Sequence, residues 1–120
     1  MRGVAGWISR LGPPLALMAL IWLLSSRPGL STGLGFWDLV LRKLAHMTEF
    51  GALFLLWLRA LGWRPAWAAA LIALGWAVVD EIHQSTVPDR HGTPLDVLID
   101  SVGIALAWAL WLRPRPSTRR

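Results

Sequence analysis

The chain has 120 residues, of which 55% are hydrophobic, nine are tryptophan and none is cysteine or tyrosine, and its mean hydropathy is +0.50. This composition is too apolar for an ordinary soluble domain of that size and indicates a membrane protein, while the lack of cysteine excludes disulfides and thiolate metal sites. The net charge of +5 does not indicate nucleic acid as a partner, because the basic residues stand at the ends of apolar segments, which is a pattern of membrane topology.

Four apolar segments follow one another along the chain, at about residues 11–26, 44–61, 65–83 and 94–112. They predict an all-α, polytopic membrane protein, a bundle of four transmembrane helices that forms a single domain over residues 1–120. A helix needs about 20 residues to cross roughly 30 Å of hydrocarbon, and the uncharged runs are shorter than this. We therefore expect the polar ends of the helices to complete the crossings.

The first segment has an alternative interpretation as a cleaved signal peptide, because Arg2 and Arg10 precede a compact apolar run. However, the sequence Leu24-Ser25-Ser26-Arg27 lacks the small-x-small pattern of a cleavage site. We expect the first helix to be retained.

The basic residues predict the orientation of the helices. With the N-terminus inside, the residues on the cytoplasmic side are Arg2, Arg10, Arg59, Arg64, Arg113, Arg115, Arg119 and Arg120, and only four basic residues face outward. This satisfies the positive-inside rule, so both termini are expected inside (N-in/C-in), with 113–120 as a basic cytoplasmic tail and the loop 84–93 outside. The prediction is a multi-pass protein of the cytoplasmic (inner) membrane, surrounded by its lipid bilayer.

Ionisable residues of the second, third and fourth segments are expected to share one layer of the membrane. A helix rises about 1.5 Å per residue. Counted from the cytoplasmic boundary of the membrane, His46 and Asp100 are therefore expected at a height of ~20 Å and Asp80 at ~24 Å. Ionisable groups at such depths are costly and usually mark function. The layer runs from the middle of the membrane to its outer surface.

Each of these segments also places its polar residues on one face, because successive helical residues turn by about 100°. The three faces are Lys43, His46, Glu49 and Phe50; Trp76, Asp80, His83 and Gln84; and Asp96, Asp100, Gly103 and Ala107. Gly103 and Ala107 are small, so the fourth helix is expected to approach a neighbour closely there.

Two separated motifs resemble those of the VanZ-like membrane protein family. One is Lys43-Leu44-Ala45-His46-Met47-Thr48-Glu49-Phe50. The other is Asp80-Glu81-Ile82-His83-Gln84, followed by Val87-Pro88-Asp89-Arg90 and by Asp96-x-x-x-Asp100-x-x-Gly103. The resemblance covers about residues 43–103, roughly half of the chain, with the motifs in the family's order.

Three positions depart from the family's pattern: Phe50 stands where tyrosine is more usual, Asp89 where glycine is, and Asp100 where asparagine is. The first departure removes a phenol, and the last adds negative charge. The resemblance implies a small polytopic membrane protein of a family whose founding member is linked to resistance against the glycopeptide teicoplanin. It implies no agreed chemical activity.

Nine residues are candidates for a polar site in an outward-facing cavity formed by helices two, three and four: His46, Glu49, Asp80, Glu81, His83, Gln84, Arg90, Asp96 and Asp100. One interpretation makes them a purely structural network that pins the helices, although buried ion pairs seldom add net stability. Asp96 could also complete a capping box with Thr93, and Lys43 could extend to the membrane surface.

Two functional interpretations remain open. An enzyme could hold a divalent metal on the carboxylates and histidines and the phosphate of an envelope lipid or precursor on Arg90, but the chain has no HExxH motif and no glycine-rich phosphate loop. A binder would recognise an envelope lipid or cell-wall component without turnover, and could thereby affect glycopeptide susceptibility. We favour the binder; transport is disfavoured because no repeated halves are visible. The cofactor and the oligomeric state stay open.

Overall fold

Four helices account for most of the chain in the computed structural model, which describes residues 3–26, 35–87 and 94–112. They are α1 (Val4–Ser25), α2 (Phe36–Ala60), α3 (Ala66–Gln84) and α4 (Pro94–Leu112). The described residues are 88% helical and include no strand. The all-α prediction is confirmed.

The helices alternate in direction. Ser26, just after α1, lies next to His83 near the end of α3, with 2.7 Å between Oγ and Nε2. At the other end of the bundle, Arg59 of α2 donates a hydrogen bond to the carbonyl of Ser9 in α1. The C-terminal ends of α1 and α3 therefore share one end of the bundle with the N-terminal halves of α2 and α4. We call this the polar end.

Three of the helices, α1, α3 and α4, are long and apolar enough to cross a membrane. The helix α2 is the longest, with 25 residues, but it does not belong to this set. Its charged residues are Asp38, Arg42, Lys43, Glu49 and Arg59. A multi-pass membrane protein is thus supported, while the crossing by α2 remains a prediction.

The first two helices begin earlier than the apolar runs predict. Helix α1 begins at Val4, ahead of about residue 11, and α2 begins at Phe36, ahead of about residue 44. In α1 the predicted run is ended by Arg10, although the residues before it are mostly apolar and the helix continues through it. In α2 the helix continues through charged residues, of which Asp38 suits the first turn. The bounds of α3 and α4 lie within one residue of the predicted ones.

The core is formed by large residues of α2 against a stripe of alanines on α3. Phe50 and Phe54 are fully buried, as are Ala69, Ala73 and Ala77, which recur every four residues. The same face of α3 continues to Asp80 and Gln84, which are also buried. The alanine stripe therefore directs Asp80 into the bundle at the polar end.

Helices α2 and α4 cross at two glycines. A Cβ atom on Gly103 would lie 2.2 Å from the carbonyl oxygen of Met47, and one on Gly51 would lie 3.0 Å from the carbonyl oxygen of Gly103. Ala107 is buried at the same contact. This confirms the predicted close approach at Gly103 and Ala107, with α2 as the neighbour.

The outward surface of the bundle is apolar. Only 17–22% of the residues in the three candidate spans are buried within the chain, and large side chains such as Trp67, Leu106 and Leu110 are more than half exposed. A soluble protein rarely exposes so much contiguous apolar surface. The surface is consistent with a lipid bilayer around the helices.

Candidate functional site

Side chains of three helices meet inside the polar end. His46 of α2, Asp80 of α3 and Asp100 of α4 each offer a nitrogen or carboxylate oxygen, and these three atoms all lie within 4.8 Å of one another. His46 Nδ1 and Asp100 Oδ1 are 3.2 Å apart, a hydrogen-bonding distance. We call these three residues the three-helix cluster.

Asp80 is only partly satisfied by its neighbours. Gln84 Nε2 donates to Asp80 Oδ2 at 3.1 Å and lies 3.3 Å from Ser25 Oγ, so α1 also reaches the site. The other carboxylate oxygen, Asp80 Oδ1, is buried and has no hydrogen-bond partner within the described residues. A buried oxygen that accepts no hydrogen bond destabilises the fold, because the free energy lost when it left water is not regained from another donor.

An ion pair lies one turn closer to the polar end than the cluster. Lys43 of α2 pairs with Asp96 of α4, and their side chains are 32% and 16% exposed. The pair links the same two helices that His46 and Asp100 link. Glu49 lies one turn deeper, half-buried, where it interacts electrostatically with His46, Asp80 and Asp100.

Two of the predicted site residues that the structure describes, His83 and Glu81, lie apart from the cluster. His83 stacks on Trp22 of α1 with 3.7 Å between ring centroids, so it faces α1. Asp80 and His83 are three residues apart and differ by about 60° around the helix, which is enough to direct them to different neighbours. Among the described residues, Glu81 has no hydrogen bond or ion pair with the cluster. Arg90 lies outside the described residues, as does Thr93, the proposed cap for Asp96.

Within the described residues the two aspartates of the cluster are buried, whereas the sequence predicts that they line an outward-facing cavity. Asp80 is 1% exposed and Asp100 is 2% exposed. The reason is that a small residue, Ala77 or Gly103, lies one turn from each aspartate and lets the helices approach. The contact of Ser25 with Gln84 was not predicted. The prediction was based on ionisable residues, and α1 has none near its C-terminal end.

The Lys43–Asp96 pair predicts a measurable coupling between α2 and α4. In a double-mutant cycle of Lys43→Gln and Asp96→Asn, we expect a coupling of about 1 kcal/mol, at the lower part of the range for contacting residues because both side chains are partly exposed to screening. Unfolding titrations of the purified protein would measure it. Strictly additive losses would mean that the pair does not hold the helices together.

Comparison with known proteins yields one relationship. A family model described as VanZ/LLP1 matches residues 13–114, a range that contains both of the motifs and the whole three-helix cluster. No curated protein matches the chain, and no solved structure matches it.

Proposed function

The chain belongs to the VanZ/LLP1 family, and on this premise we propose that it is a binding protein of the cytoplasmic membrane. Its polar end recognises the headgroup of an envelope lipid or of a lipid-linked cell-wall precursor. By occupying that component it changes the susceptibility of the cell to glycopeptides of the teicoplanin type. The orientation is N-in/C-in, with the polar end facing outward.

The observation that best supports this proposal is the gathering of ionisable side chains from three helices inside an otherwise apolar bundle. Such groups are expensive in a membrane and are usually retained for function. The partly exposed pair of Lys43 and Asp96 would meet a headgroup first. Lys43 suits a phosphate, and Asp96 suits a hydroxyl or ammonium group. The cluster behind the pair would complete the recognition.

An apolar groove favours a lipid over a fully water-soluble component. The groove has a volume of about 610 Å³ and is lined by α2 residues between Leu44 and Leu55 and α4 residues between Gly103 and Trp111. It begins next to the cluster, because Met47 follows His46 and Gly103 lies one turn beyond Asp100. A headgroup held at the polar end would therefore place its hydrocarbon chain along the groove.

A variant that fills the groove tests the proposal. Ala52 lines the groove and is partly buried, so Ala52→Phe should displace the hydrocarbon chain and remove the co-purifying lipid. The protein would be purified in mild detergent, and its bound lipids extracted and identified by mass spectrometry. We expect one headgroup class to be enriched over the bulk membrane in the wild type and to be lost in the variant.

The control is Ala109→Phe, which adds the same side chain at an exposed position of α4 outside the groove. It should retain the enriched lipid, because it leaves the groove open. Lipids that have the composition of the bulk membrane in the wild-type protein would contradict the proposal.

A further inference from the structure

We propose that His46, Asp80 and Asp100 bind one divalent cation of the type that accepts both nitrogen and oxygen ligands, such as Zn²⁺ or Mn²⁺. An imidazole and two carboxylates form a mixed donor set that suits these ions. Mg²⁺, which prefers oxygen ligands in a strict octahedron, suits it less well.

The spacing of the donor atoms fits a shared ion. Ligands about 2.0–2.2 Å from one metal, in tetrahedral geometry, lie about 3.3 Å from each other. His46 Nδ1 and Asp100 Oδ1 are already 3.2 Å apart. The donor atom of Asp80 completes the set within 4.8 Å, so a side-chain adjustment of roughly 1 to 1.5 Å would close the triangle around an ion.

The unpartnered oxygen of Asp80 independently indicates a ligand. Gln84 donates to Oδ2 and Ser25 interacts with the carboxyl group, but Asp80 Oδ1 is buried and has no partner in hydrogen-bonding geometry within the described part of the chain. The residue is 1% exposed, so bulk water does not provide that donor. A cation coordinated by this oxygen would offset its desolvation.

The charge balance of the cluster points in the same direction. Asp80 and Asp100 approach one imidazole, and the carboxylate of Glu49 adds a third acid that interacts with all three residues. Lys43, one turn away on α2, forms an ion pair with Asp96 and also interacts electrostatically with Asp100, so one ammonium group is shared between these two acids. Three carboxylates close together in an apolar bundle repel one another, and a divalent cation would relieve this repulsion.

A purely structural network is the rival explanation. In that case the cluster would serve only to hold α2 against α4 through the hydrogen bond between His46 and Asp100, and Asp80 Oδ1 would remain without a partner. An ion held by three protein ligands would still have an open coordination position. That position would accept a headgroup oxygen, a step that rests on the proposed function, whereas the binding of the ion does not.

The test uses the full-length protein in detergent, stripped of metal with a chelator and titrated with Zn²⁺ and with Mn²⁺ by calorimetry. We expect one ion per chain and a higher thermal midpoint in its presence. Asp80→Asn should weaken binding by more than about 100-fold, because losing even a group that supports a metal ligand typically costs about 10- to 100-fold. Asp100→Asn should weaken binding similarly, although asparagine preserves the side-chain shape.

The matched controls are Glu81→Gln, which removes the carboxylate adjacent to Asp80, and His83→Gln, which removes the imidazole stacked on Trp22. Both should keep the affinity of the wild type. Stripped wild-type protein that takes up neither ion would overturn the inference, even if the aspartate variants do not fold. Folded Asp80→Asn that binds as tightly as the wild type would also overturn it.

The proposed function would fail separately. No lipid is needed in the titration, so a protein that binds the ion without enriching any headgroup would retain the metal site and lose the lipid proposal. A protein that enriches a headgroup but binds no ion would retain the lipid proposal and lose the metal site.

Discussion

Replacing Gly103 by alanine is expected to force α2 and α4 apart and to destabilise the bundle by about 1–3 kcal/mol, the range for an overpacked contact. The new Cβ would lie 2.2 Å from the carbonyl oxygen of Met47 and 2.7 Å from its Cα. These are backbone atoms, so no side-chain rotation can relieve the overlap. The helices must separate, and the packing that holds membrane helices together would be lost over the contact.

Two other glycines provide the comparison. A Cβ added to Gly75, within α3, would have no atom within 4 Å, while one added to Gly51 would meet the carbonyl oxygen of Gly103 at 3.0 Å. Gly75→Ala should be neutral or stabilising by up to about 1 kcal/mol, since alanine is the better helix former. The stability of Gly51→Ala should lie between those of Gly103→Ala and Gly75→Ala. Helicity followed through a denaturant titration in detergent would rank the variants, and Gly103→Ala as stable as Gly75→Ala would contradict the close crossing.

The stripe from Asp96 to Ala107 shows how much of the fold can be predicted from sequence. Its spacing places Asp100, Gly103 and Ala107 on one face, and all three are buried. The spacing does not reveal which helix covers that face, because helical periodicity fixes direction around one axis only. The early start of α2 at Phe36 was hidden for a related reason, since hydropathy does not follow a helix through charged residues that have partners.

The candidate site was predictable to a similar degree. Depth along the helices correctly brings His46, Asp80 and Asp100 to one layer, because helical rise is nearly constant. Asp80 and His83 differ by about 60° around the helix, so the sequence places both on one broad face, but the packing of α1 brings His83 onto Trp22 while Asp80 lies in the cluster. Which neighbour each side chain contacts depends on the packing of all four helices. The burial of Asp80 and Asp100 depends on that packing too.

Cysteine labelling in this cysteine-free chain is expected to give all-or-none results that establish the topology. Ser85 is exposed in the turn after α3, at the polar end. If that end faces outward, as the basic residues predict, Ser85→Cys should react with an impermeant thiol reagent added to intact cells. Ser117→Cys, beyond α4, should react only after the membrane is permeabilised. Labelling of Ser117→Cys in intact cells would overturn the N-in/C-in orientation.

The crossing of α2 can be decided with one further position. Ser31 lies between α1 and α2, so two helices separate it from Ser85. If α2 crosses despite its charged residues, Ser31→Cys and Ser85→Cys lie on the same side and both react from outside. If α2 remains at the surface, only α3 separates the two positions and one of them is protected. We expect both to react, because Arg59 of α2 contacts Ser9 at one end of the bundle while His46 of the same helix contacts Asp100 at the polar end. A helix that makes both contacts must extend along α1 from one end toward the other.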